Sequence, residues 1–225
     1  MKESSPNPKR RYVSRVRETA AAQKRAQVVE AAMGLLAEGA PEGVSLETVA
    51  KAAGVTRLTV YNQFGSRRGL LEAVFDECAL EGGLHRIPEA MGLADPSAAL
   101  DRLAEIFCEF WGSNNALGRL HAMAAVDVEF GEAMAERNER RRVALGALVR
   151  RMVGRGTARA QTARDLIDLL FALTSCSFYE ALRQGRAEQA ICSMIKSCCR
   201  SAVLSESVVG DTGGGGPPDR PPQRP

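Results

Sequence analysis

Five polar side chains crowd into seven residues of this chain: Arg57, Thr59, Tyr61, Asn62 and Gln63. A guanidinium, two hydroxyls and two amides can bond phosphate oxygens and the donor and acceptor edges of bases, so the run carries the chemistry of a DNA-reading surface. The same residue types also make an ordinary solvated helix face, and the flanking residues have to decide between the two. Other chemistry is sparsely represented. The chain has no nucleophile elbow, phosphate loop, Gly-rich dinucleotide turn or HExxH motif. Of its two histidines, His85 follows the Gly82-Gly83 break and His121 lies in an apolar stretch, so neither completes a Ser/His/Asp set. His121 and Asp127 lack a third ligand at usable spacing, so neither metal nor cofactor is expected. The six cysteines, Cys78, Cys108, Cys176, Cys192, Cys198 and Cys199, form no CxxC pair. They read as small buried hydrophobes, with a redox-sensing pair at Cys198-Cys199 as the alternative.

The polar run needs a helix to aim it, and the local pattern supplies one. Thr56 is a good N-cap, Val55 and Val60 have the spacing of a hydrophobic staple, and Phe64 continues that row four residues on. Upstream, Ser45 to Gly54 has a Ser cap, Glu47 in the first turn and a terminal Gly, with Leu46, Val49, Ala50 and Ala53 on one stripe. Two short helices across a Gly turn, the second polar outward, form a helix-turn-helix. A supporting helix over Gln27 to Glu38 buries Val28, Ala32, Leu35 and Leu36 and ends at Gly39, before a loop at Pro41 to Gly43.

From about Gln27 to Leu71 this arrangement resembles the DNA-binding domain of TetR-type (TetR/AcrR) transcriptional regulators. The likeness rests on Ala31-Ala32 to Gly39, Ser45 to Gly54, Val55-Thr56, Thr59-Val60-Tyr61, Phe64, Ser66-Arg67 and Leu70. The chain departs from the family pattern at four positions: Leu58 stands where a small residue is usual, Gln63 where His is common, Arg67 where Lys is usual, and Arg68 where an acid is usual. The resemblance implies a homodimeric DNA-binding regulator with Ser45, Thr56, Arg57, Leu58, Thr59, Tyr61, Asn62, Gln63, Arg67 and Arg68 at the DNA. Arg57, Leu58 and Asn62 are expected to face bases, and Thr59, Tyr61, Gln63 and Arg67 to position the helix on phosphates.

Charge is distributed to match. Through Leu71 there are twelve Lys and Arg against six Asp and Glu, while the rest of the chain has eighteen against twenty-one. The positive end is therefore the proposed DNA-binding end. Lys2, Lys9, Arg10, Arg11, Arg15 and Arg17 read as an irregular basic arm over residues 1–19, which either follows phosphates or is a solvated tail. The helix-turn-helix domain is assigned to residues 20–66, an all-helical regulatory and dimerisation domain to 67–204, and a disordered Gly/Pro tail to 205–225. No stretch reads as a membrane span or a secretion signal, so a cytoplasmic protein is expected.

The larger part of the chain reads as helices only, giving an all-α fold. After a fourth helix through about Ala79, Asp95-Pro96 starts a helix with a stripe from Leu100 to Trp111. Further helices run over Asn115 to Val126 and Glu129 to Val153. Arg137, Arg140, Arg141 and Arg142, alternating with Glu136 and Glu139, read as a solvated salt-bridged face, with a second DNA site as the alternative. Two final helices, Ala163 to Arg183 and Ala187 to Leu204, are apolar around most of their circumference. Leu166, Leu170, Leu173, Tyr179, Leu182, Ile191, Met194, Ile195 and Cys198 are expected at a dimer contact or, alternatively, in the core of one chain. Phe107, Phe110, Trp111, His121, Met123, Phe130, Met134, Phe171 and Phe178 could line a pocket for a small apolar effector that releases a repressor from a pseudo-palindromic operator. A helical interaction module and a ligand-independent regulator are the competing readings. An enzyme is not expected.

Overall fold

The computed structural model describes residues 8–39, 44–159 and 161–208, with side chains over 19–39, 44–159 and 161–205. Eleven α-helices and one 3-10 turn appear among the described residues, and no strand. The chain has an all-α fold. Its helices group into two compact units, one of residues 1–86 and 109–139, the other of 87–108 and 140–225.

The first unit begins with α1, Pro8–Glu38. The arm expected to be irregular is therefore helical from Pro8 onward: Pro suits the first helical position, and the Arg- and Ala-rich run behind it favours helix. Residues 1–7, with Lys2, and the expected loop at Pro41 to Gly43 lie outside the described residues. α2 (Leu46–Ala52), α3 (Arg57–Phe64) and α4 (Arg67–Glu81) follow, and α7 (Ala116–Ala124) packs on α1 and α4. Val28, Ala32, Leu36, Val49, Val60, Leu70, Leu71 and Val74 form the core, each fully buried. Arg119 closes the end of α1 by donating to the Leu36 carbonyl.

The second unit holds α5 (Ile87–Gly92), the first part of α6 (Pro96–Ser113), the second part of α8 (Val128–Gly154), α9 (Ala163–Leu173), α10 (Cys176–Arg183) and α11 (Glu188–Val208). Asp95 caps α6 as its Asp-Pro start predicts, accepting from the Ser97 and Ala98 amides. Arg151 donates to the Met91, Leu93 and Ala94 carbonyls around the end of α5. Ion pairs Lys196–Glu105 and Arg200–Asp101 tie α11 to α6, and Arg142–Asp168 ties α8 to α9.

Two local features differ from the sequence reading. The expected single helix over Ala163 to Arg183 is broken at Thr174 and Ser175. Ser175 takes an extended conformation there, and its side chain accepts from the Phe178 amide at 3.2 Å, capping a new helix. The apolar period crosses this break without interruption, which is why spacing alone hid it. The arginine row on α8 is also not uniformly solvated. Arg137 pairs with Glu72 and Asp76 in the first unit, whereas Arg141, in the second, stacks on Phe171 with 4.1 Å from guanidinium carbon to ring centroid.

Candidate nucleic-acid interface

The site is built by the turn between α2 and α3. Ser45 caps α2 reciprocally: its Oγ accepts from the Thr48 amide at 3.1 Å, and Thr48 Oγ1 accepts from the Ser45 amide at 2.9 Å. At the other end of α2 the Val55 amide reaches the Ala50 carbonyl at 2.9 Å and the Gly54 amide reaches that of Lys51, with Gly54 at φ 64°. This is the double bond pattern of a Schellman turn, which needs a residue tolerant of positive φ. Gln27 of α1 donates to the Ala53 carbonyl at 2.9 Å and braces the turn from behind.

α3 is held by little. Thr56 caps it, its Oγ1 accepting from the Thr59 amide at 3.1 Å and bonding Thr59 Oγ1 at 2.8 Å. Val60 is its single buried residue, and Phe64 lies beneath the Arg25 guanidinium, 4.5 Å from ring centroid to guanidinium carbon. At the far end Gly65 turns the chain at φ 71°, and Ser66 caps α4 through the Gly69 amide at 3.0 Å. A Cβ on Gly69 would run into the Phe64 carbonyl oxygen, so the approach of α4 to the end of α3 requires glycine.

This leaves Arg57, Leu58, Tyr61 and Asn62 together on one open face, with Leu58 66% and Tyr61 56% exposed. Thr56 is exposed at the helix start, while Thr59 and Ser45 are half-buried and engaged in caps. Gln63 is half-buried, and its Oε1 is shut off from solvent without a hydrogen-bond partner. Arg67 and Arg68 are half-buried and already paired. Arg67 Nε donates to the Val44 carbonyl at 2.8 Å and its guanidinium pairs with Asp127, whose other oxygen caps α8 by accepting from the Phe130 amide at 3.0 Å. Arg68 pairs with Glu72 at 2.7 Å. That bond raises the pKa of Arg68, and with Arg137 nearby it holds the Glu72 carboxyl below its ordinary range. Both arginines thus brace the first turn of α4. Asp127, set beside His121 as a metal candidate in the sequence, acts as a helix cap and ion-pair partner. The bracing roles of Gln27, Gly69 and Asp127 escaped the sequence reading because their partners lie far along the chain or depend on close backbone approach.

The residues expected around an effector separate into the two units. In the first, Phe110, Met123 and Phe130 are buried core, while Trp111, His121 and Met134 join Phe75, Leu117, Arg137 and Asn138 around a cavity of about 30 Å³. That space suits a water molecule or two, against roughly 300–1,000 Å³ for small-molecule pockets. In the second, Phe107 and Phe171 both face Arg141, and Phe178 is half-buried. Of the residues expected at a dimer contact, Leu166, Leu170, Leu173, Tyr179, Ile191 and Ile195 are buried within the chain. Leu182 is half-buried, and only Met194 and Cys198 are exposed. The first six form the core of their own unit, as their apolar spacing equally allowed. Cys78, Cys108, Cys176 and Cys199 are buried, as read, and burial pushes the Cys78, Cys176 and Cys199 thiols up to about 12.

Residues 28–74 match the family described as bacterial regulatory proteins, tetR family. No curated protein sequence matches the chain. Among solved structures, one assigned to the TetR-family transcriptional regulators from Syntrophomonas wolfei superposes with TM-score 0.70 at 14% identity, covering 84% of this chain and 98% of its own. A transcriptional regulator from Saccharomonospora viridis in complex with choline gives 0.61 at 18% identity, covering 78% and 95%. The fatty acid degradation regulator FadR from Bacillus halodurans gives 0.62 at 17% identity, covering 78% and 94%. At these identities the structures establish a shared fold. The matched segment contains the whole α2–turn–α3 unit with its caps and open face, so residues 28–74 form a DNA-binding helix-turn-helix of the kind carried by bacterial regulatory proteins of the tetR family.

Proposed function

We propose that the chain is a homodimeric repressor that reads a pseudo-palindromic operator with α3 and is released from it by a small molecule. The observation that carries this reading is the open face of α3. A helix that buries one residue while exposing Arg57, Leu58, Tyr61 and Asn62 fits a major groove better than it fits a protein core. Arg57 and Asn62 can bond base edges, Leu58 can meet a thymine methyl, and Tyr61 and Thr56 can bond phosphates. Arg67 and Arg68, each paired with a carboxylate, brace the first turn of α4 beside α3.

One α3 spans only a few base pairs, so specificity calls for two copies related by a two-fold axis. Leu169, Met194 and Leu204, exposed on α9 and α11, offer apolar surface for that pairing. Control by a ligand draws support from the choline complex of the S. viridis regulator of the same fold. An effector acts only if it binds better to the state that does not fit the operator. A cytoplasmic location follows from a DNA partner, and no described helix is long and apolar enough to cross a membrane.

Genomic footprinting with the full chain tests the reading. Recovered sites should be inverted repeats with half-sites about 34 Å apart or a modest multiple of it. Single, unrepeated half-sites would contradict the dimeric mode.

A further inference from the structure

Among the described residues, Arg141 is the arginine of α8 that hydrogen-bonds a backbone carbonyl of another helix and faces two rings. Its neighbours along α8 behave otherwise: Arg137 takes two carboxylates and Arg142 takes Asp168. Among the described residues no carboxylate pairs with Arg141. Its hydrogen bond is to a neutral group, the Thr174 carbonyl at 2.6 Å, and its guanidinium faces the rings of Phe171 at 4.1 Å and Phe107 at 5.7 Å. Its Nε is buried and has no acceptor. The cost of this placement shows in its acidity, since burial together with the charge of Arg142 pushes Arg141 down to about 10.

A second orphaned polar atom lies in the same group of helices. The Tyr179 hydroxyl has no hydrogen-bond partner although the residue is only 1% exposed. Tyr179 sits one turn along α10 from Cys176. α8 and α10 therefore each hold an unsatisfied polar atom, the Arg141 Nε donor and the Tyr179 hydroxyl, and two aromatic rings flank the Arg141 guanidinium. Buried cations are ordinarily matched by a carboxylate, and buried hydroxyls by a partner. The Arg141 side chain as a whole is only partly buried, so an anion can reach it without unfolding the unit.

We propose that Arg141 recognises the carboxylate of an effector whose body is apolar and flat or chain-like, the body lying against Phe107 and Phe171. A guanidinium fork binds a carboxylate through paired, charge-assisted hydrogen bonds, and flanking rings orient an apolar body. The inference rests on the proposed ligand control and narrows it to an anion, in contrast to the cationic choline of the S. viridis regulator.

The test uses the purified full chain with benzoate, 3-phenylpropionate and decanoate, each beside its primary amide, and choline as the cationic control. Binding is read by calorimetry and by release of an operator fragment recovered by footprinting. At least one carboxylate should bind and release DNA, its amide at least ten-fold more weakly. Arg141→Lys should weaken that carboxylate about ten-fold and Arg141→Met should abolish its binding. Unliganded R141M should melt no lower than the unmodified chain, because an unpaired charge has left the interior. Amides or choline binding as well as the acids would overturn the anion site and leave ligand control standing. A carboxylate that binds through Arg141 without releasing DNA would uphold the site and refute its role as an effector. Undiminished carboxylate binding by R141M, or a marked fall in its unliganded melting temperature, would show Arg141 to be structural. Silence from every probe would count against both readings.

Discussion

α3 buries Val60 alone and leaves Arg57, Leu58, Tyr61 and Asn62 open, whereas α9, a helix of similar length, buries Leu166, Leu170 and Leu173. The difference lies in what each helix is for. α9 derives its place from apolar area removed from water, so its side chains are committed within the chain. α3 is held mainly from its ends, by the Thr56 cap, the Gly65 turn and the Arg25–Phe64 stack, which frees most of its surface for another molecule. A helix secured at its termini can present polar groups without losing its position.

Exchanging the two kinds of residue gives the largest expected effects. Leu170→Ala should cost about 2–5 kcal/mol of stability, measured by denaturant unfolding, because a fully buried leucine leaves a cavity. Tyr61→Ala should change stability by less than about 0.5 kcal/mol. It should still weaken operator binding by roughly ten-fold, about 1.4 kcal/mol, in a titration with labelled duplex. If Tyr61→Ala unfolded the protein while Leu170→Ala was silent, the contrast between the helices would be false. Next in size, Gly69→Ala should cost about 1–3 kcal/mol by forcing the start of α4 away from the Phe64 carbonyl. Because that contact sets the end of α3, operator affinity should fall with it. A variant of full stability and full affinity would show that the approach is not needed.

The smallest expected effect is a pH dependence shared by both units. Glu72 is held below the ordinary carboxylate range by its bond to Arg68 with Arg137 nearby, and Glu105 by its bond to Lys196 and then Arg102. Groups with lowered folded pKa contribute stability that is fully present above the unfolded value near 4.5 and is lost as pH falls through the folded value. Thermal melts should therefore drop on acidification below that point, less so in Glu72→Gln and Glu105→Gln. An acid loss of the same size in both variants would remove these pairs from the account.

What the sequence made legible was local. Ser45 and Thr56 announce their helices because a cap and its amide lie within three residues, and Gly54 announces its turn because positive φ favours glycine. The all-α fold and the open face of α3 follow from such signals together with the resemblance over Gln27 to Leu71. The break at Ser175 was hidden by an unbroken apolar period, and α5 by its shortness and its Pro88. The α8 arginines show the limit most plainly. Arg137, Arg141 and Arg142 have the same chemistry, and only their tertiary partners, two carboxylates with a ring, two aromatic rings, and one carboxylate with a ring, tell them apart. Likewise the apolar residues of α9 to α11 were recognisable as buried, but whether by the same chain or by a second copy depended on packing.

The central claim is that the open face of α3 reads DNA, and it is tested most directly by operator affinity as a function of salt for the unmodified chain, Tyr61→Ala and Asn62→Ala. For the unmodified chain, log affinity should fall linearly and steeply with log salt. Asn62→Ala should lose roughly ten-fold on operator but not on unrelated duplex and keep its slope, while Tyr61→Ala should weaken on both with a shallower dependence. Operator affinity undiminished in both variants would contradict the assignment of α3 as the reading helix.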